Sequence, residues 1–151
     1  MRAFRKFLTA GNSERALAMR SLMALVAAGS LVKLQRYPKL RKRLQSPPTV
    51  HKSSARRPSQ ERVLRILSAV ARRLPWATCL VQAIAAQDLL AEYGYAAQLR
   101  LGVNRDAAGE FSAHAWLEQD GTVLIGGDAS PATFAVLDVA KVRAADLASE
   151  R

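Results

Sequence analysis

Pro75-Trp76-Ala77-Thr78-Cys79-Leu80 opens a helix and carries the only cysteine of the chain. Beyond it, apolar Leu80, Val81, Ile84, Leu89 and Leu90 recur at roughly helical spacing as far as Tyr93, and Gly94 stands where a C-terminal cap belongs. Cys79 therefore falls in the first turn. Unpaired backbone N–H groups and the helix dipole favour a thiolate there, and the thiolate is the nucleophilic form of cysteine.

Downstream the periodicity changes. Ala97, Leu99, Leu101 and Val103 alternate with Gln98, Arg100 and Gly102, the pattern of a strand with one buried face. A polar, Gly-containing connection follows over Asn104 to Glu110. Phe111-Ser112-Ala113-His114-Ala115-Trp116-Leu117-Glu118 then predicts a second strand, Asp120-Gly121 a tight turn, and Val123-Leu124-Ile125 the strand that returns. In a strand His114, Trp116 and Glu118 share one face while Ala113, Ala115 and Leu117 share the other, so the face bearing His114 is the candidate site. Phe134 to Val139 is a further candidate strand.

Cys79, His114 and Asp128 together suggest a nucleophile, a base and an orienting carboxylate. An antiparallel hairpin passes residues 126 to 128 beside His114. A strict two-residue turn, however, pairs His114 with Gly127 and aims Asp128 at the opposite face. The arrangement therefore requires a bulge or a strand end, which Gly126-Gly127 could supply. Each residue also has a plainer role: a lone cysteine as a small buried hydrophobe, His114 as a satisfied strand histidine, Asp128 as a turn residue after two glycines. Trp76 and Trp116 either line a substrate groove or pack, and packing is the commoner fate of large aromatics. Glu118 and Asp120 lie nearer His114 in sequence, but the turn claims Asp120.

Upstream, Asn12-Ser13-Glu14 is a candidate cap for a helix through Leu17, Leu22, Leu25, Val26, Leu31 and Val32, with an Arg-rich continuation over Pro38 to Leu44. The apolar residues of this 1–45 region need cover, from the core or from a partner. Ser46 to Ser59, rich in Pro, Ser and basic residues, is expected to be a linker or exposed loop. Glu61 to Leu74 resumes helical spacing through Val63, Ile66, Leu67, Val70 and Leu74, and Pro75 ends that helix or starts the next turn. The expected organisation is an N-terminal helical region (1–45), a basic linker (46–60) and a catalytic core (61–151), with an α+β architecture of helices and a small antiparallel sheet.

Composition limits the alternatives. The chain has 151 residues, 50% of them hydrophobic, enough for one domain with a sizeable core. Its net charge of +11 is unevenly placed: residues 1 to 60 hold fourteen Lys or Arg and one acid, the remainder nine bases and eleven acids. That asymmetry suits an anionic surface or an acidic partner, or only a solvated helix face and a basic linker. No aromatic interleaving or zinc-finger spacing points to nucleic acid. The uncharged run Ser21 to Val32 is short for a membrane span and the basic stretch before it long for a signal peptide. One cysteine permits no internal disulfide and suits a reducing cytoplasm. The chain has only two histidines, His51 and His114, and no second cysteine to build a zinc site, and no metal or cofactor is expected.

The ordered Cys79-Leu80, the helix running to Glu92-Tyr93-Gly94-Tyr95, the strand Ala97 to Val103, His114-Ala115-Trp116-Leu117-Glu118 and the Asp128 strand end resemble the transglutaminase-like protease of lasso-peptide biosynthesis, over roughly residues 60 to 140. The resemblance implies a papain-like cysteine protease core that removes the leader from a ribosomally made precursor peptide, after which an ATP-dependent cyclase closes the macrolactam. Nothing upstream looks like the strand-rich leader-recognition domain of fused versions. The resemblance therefore implies the split form, with a separate recognition protein as partner. The remaining readings are a transglutaminase-like acyltransferase acting on an amine, and an inactive adaptor. For the oxyanion, the backbone N–H of Cys79 is a candidate donor, with Gln82 and Trp76 as side-chain candidates.

Overall fold

A computed structural model of the chain describes residues 11–34, 49–50, 57–105, 109–127 and 133–137. In chain order its elements are α1 (Asn12–Lys33), α2 (Gln60–Ala71), α3 (Cys79–Glu92), β1 (Gln98–Arg105), β2 (Phe111–Gln119), β3 (Thr122–Ile125) and β4 (Ala135–Val136). The strands form one antiparallel sheet in the order β3-β2-β1-β4. This is an α+β domain of helices on a small sheet, as the periodicities predict.

α3 is the central helix. Val81, Ala83 to Gln87 and Leu89 to Ala91 are all buried, because α1 and α2 cover one side and the sheet the other. It ends as Gly94 predicts: Gly94 has φ +81°, its N–H reaches Ala91 O at 3.1 Å, and Tyr95 N–H reaches Leu90 O at 2.9 Å. Those two bonds satisfy carbonyls that the helix end would otherwise orphan. The core joins Leu17, Leu25 and Ala28 of α1, Val63 and Leu67 of α2, Ile84, Leu89 and Leu90 of α3, and Leu99, Ala115 and Leu117 of the sheet.

α1 spans 22 residues, longer than the uncharged run Ser21 to Val32, because Asn12 to Arg20 is helical as well. By length and composition alone it could cross a membrane. Its Leu17, Ser21, Leu25 and Ala28 stripe is buried, and the helix packs on α2 and α3. The N-cap is Gly11, whose carbonyl accepts from Glu14 N–H at 2.8 Å, and not a residue of the Asn12-Ser13-Glu14 signal. The Arg-rich stretch Pro38 to Leu44 lies outside the described residues.

The end of the expected linker is tied down. Arg57 lies over the Tyr95 ring, 4.4 Å from its centroid, and donates to the carbonyls of Tyr93 and Gly94. Ser59 caps α2 by accepting from Arg62 N–H at 3.3 Å. Ser59→Ala is expected to cost about 1 kcal/mol, read as a lower thermal midpoint; an unchanged midpoint would show the cap to be idle.

The β2–β3 hairpin turns at Asp120 (φ +49°) and Gly121 (φ +78°), two left-handed residues that match the twist of the flanking strands. Gln119 pairs with Thr122 and Glu118 with Val123, but Leu117 pairs with Ile125. One residue, Leu124, is thus extra. The bulge lies within β3, ahead of Gly126-Gly127. β4 is shorter than the Phe134 to Val139 run, although Leu137 N–H still reaches Leu101 O at 2.8 Å.

Candidate active site

Cys79 is the first residue of α3, half-buried, with its side chain packed against the core. Thr78 is the N-cap residue, yet its hydroxyl makes no capping bond, unlike Ser59 at α2. The first-turn amides of α3 therefore keep their capacity to bind negative charge. Gln82 reaches back from the same turn and donates from Nε2 to Ala77 O at 2.7 Å, holding the chain that enters the helix.

His114 occupies β2 opposite Gly102 of β1, on the face that also carries Trp116 and Glu118. Leu99, Ala115 and Leu117, on the other face, pack into the core shared with α3. The imidazole is bounded by the Trp116 ring, 6.2 Å between centroids and near parallel, and by the Phe134 ring at 5.4 Å. Its Nε2 lies 2.6 Å from Gly126 O. A carbonyl only accepts, so Nε2 carries the hydrogen, and in the neutral ring Nδ1 retains its lone pair.

The rest of that face is accounted for. Glu118 accepts from Arg100 Nε at 2.7 Å and from Trp116 Nε1 at 3.3 Å, which occupies both of its oxygens and separates it from the imidazole chemistry. Trp116 is buried, and Gly102 lies so close beneath it that a Cβ there would come within 2.8 Å of the ring.

The structure thus gathers His114, Gly126, Trp116 and Phe134. Among the described residues, no hydrogen bond or ring contact joins the Cys79 thiol to this group. Asp128 and His51 lie outside the described residues. Among the described residues no cluster of three His, Cys, Asp or Glu offers a metal site. Phe134 and the Gly126 carbonyl were missed from sequence: the first arrives through β4 from a distant segment, and a backbone acceptor leaves no residue-type signature.

Trp76 is 43% exposed and rests on α1, where a Cβ at Gly29 would come within 2.9 Å of its ring. With Val26, Ser30, Val32, Thr78 and Val81 it lines an open, mostly apolar cleft beside the start of α3. The ring therefore packs with one edge and faces the cleft with the rest.

A family model described as the transglutaminase-like superfamily matches residues 15–139, from within α1 to beyond β4. The chain belongs to the transglutaminase-like superfamily. That span takes in α1, consistent with the helix sharing its core with the cysteine helix. No curated protein matches the chain, and no solved structure does. Cysteine proteases and acyltransferases both occur in the transglutaminase-like superfamily. Their shared chemistry is acyl transfer through a thiol, for which the α3 N-terminus offers the sulfur and the open amides.

Proposed function

We propose that this chain is a cysteine peptidase that removes the leader from a lasso-peptide precursor, acting in the cytoplasm with a separate leader-recognition protein and ahead of the ATP-dependent cyclase. The observation that carries the reading is Cys79 at the uncapped start of the central helix of a transglutaminase-like domain. The lasso-peptide assignment draws on the motif resemblance over residues 60 to 140.

In the proposed reaction His114 takes the Cys79 proton at Nδ1, and the thiolate attacks the scissile carbonyl. The Cys79 N–H stabilises the oxyanion. His114 then protonates the departing amine as the C–N bond breaks, leaving a thioester, and water releases the leader acid and restores the thiol. Asp128 supplies negative charge to the imidazolium. The reaction requires the Cys79 thiol and His114 Nδ1 to come within hydrogen-bond reach in the substrate complex.

The decisive test is mass spectrometry of the precursor incubated with the recognition protein and this chain, wild type against Cys79→Ala. Cleavage at one site by wild type alone supports the reading. An amine trapped in the product in place of water would move it to an acyltransferase. Folded, associated proteins that cleave nothing, with Cys79 alkylating like an ordinary thiol, would make the chain an adaptor.

The recognition protein is proposed to dock on α1, whose Met19, Met23 and Val26 form an exposed apolar stripe. Deleting residues 1–45 would also strip Leu17, Leu25 and Ala28 from the core, so a surface substitution is the cleaner test. Met23→Glu is expected to weaken recognition-protein binding at least about tenfold with the melting temperature preserved, measured by calorimetry; unchanged affinity would place the dock elsewhere.

A further inference from the structure

We propose that the backbone carbonyl of Gly126 is the positioning group for His114, so that the main chain sets the tautomer of the base and Asp128 contributes charge without holding the ring. This rests on His114 being the base of the reaction proposed above.

The geometry is specific at both ends of the bond. Nε2 of His114 sits 2.6 Å from Gly126 O, a short distance for N–H···O. Trp116 and Phe134 bound the ring, leaving rotation about the side-chain bonds as its remaining freedom, and the carbonyl removes that by fixing where Nε2–H points. Nδ1 is then the nitrogen left to accept a proton.

Residue 126 reaches this position because it is glycine. Its φ is +86°, which L side chains rarely adopt. A Cβ would lie 2.8 Å from Ala115 O, 3.0 Å from Trp116 Cβ and 3.1 Å from Trp116 Cα. The Gly126 peptide is thus seated on the two residues that follow His114 in its own strand. Gly127 has no such restriction: its φ is not left-handed, and the nearest atom to an added Cβ is Val123 Cγ1 at 3.6 Å. Two adjacent glycines therefore do different things, and only the first is committed to the imidazole.

A carbonyl acceptor behaves differently from a carboxylate. It does not titrate, and Nε2–H can donate to it from both the neutral ring and the imidazolium, so the orientation survives each proton transfer of the cycle. Neutralising Asp128 should then lower the rate of the chemistry while leaving the ring in place.

The test is nitrogen-15 NMR of the full chain. With only two histidines, a His51→Gln background leaves His114 as the sole imidazole. The expected result is an Nε2–H tautomer whose proton exchanges at least about tenfold more slowly than that of free imidazole. The same signal should persist in Asp128→Asn, even as activity falls, and in Gly127→Ala. Gly126→Ala should lose it. An Nδ1–H tautomer in wild type, or loss of the slow proton in Asp128→Asn, overturns the proposal. If Gly126→Ala does not fold, the wild-type and Asp128→Asn spectra decide alone. Because the readout needs no turnover, a protein that cleaves no precursor would refute the peptidase reading and leave this result standing.

Discussion

Cys79→Ala is expected to abolish precursor cleavage, with kcat falling by on the order of ten-thousandfold or more while the fold is retained. The substitution removes one sulfur from a half-buried position and leaves alanine, a strong helix former, at the head of α3. A matching loss is expected for His114→Gln, which lacks a base at the Nδ1 position. Because nucleophile and base act as a unit, the double variant should be little worse than either single one. Losses that multiply would mean that the two residues act independently. Cleavage surviving in Cys79→Ala would remove the sulfur from the mechanism altogether.

The largest effect on stability is expected from Trp116→Ala, a loss of about 3–5 kcal/mol measured by urea unfolding. The indole is 2% exposed, covers Gly102 at a distance that admits no Cβ, supports the Gly126 backbone and donates to Glu118. Removing it opens a cavity that neighbouring glycines cannot fill. It also takes away the ring that flanks His114, so folded Trp116→Ala should turn over poorly. Trp76→Ala supplies the comparison. That ring is 43% exposed and its loss should cost distinctly less. Equal costs for the two tryptophans would contradict the packing of the sheet's outer face.

The helix from Cys79 and the Asp120-Gly121 hairpin were legible in sequence because each rests on local rules: helical spacing, a glycine at the helix end, and two residues that tolerate positive φ. Harder to read was anything set by a partner distant in the chain. The bulge at Leu124 arises from pairing with β2, and nothing in Val123-Leu124-Ile125 announces which residue will be skipped. Capping at α1 was misplaced by one residue for a similar reason. Gly11 offers only a backbone carbonyl, whereas Asn12 and Ser13 carry the side chains that usually mark a cap.

Sequence by itself determined the helix-then-sheet order, the position of the sole thiol at a helix start, and the strand face on which His114 stands. These follow from periods of 3.6 and 2 and from the conformational limits of Gly, Pro and Asp. Tertiary structure alone decided that α1 is a core helix, that the Gly126 carbonyl meets His114, and that Phe134 closes over the same ring. Those outcomes depend on which surfaces remain to be covered once the elements exist. They are settled by packing between residues far apart in the chain, where no local preference operates.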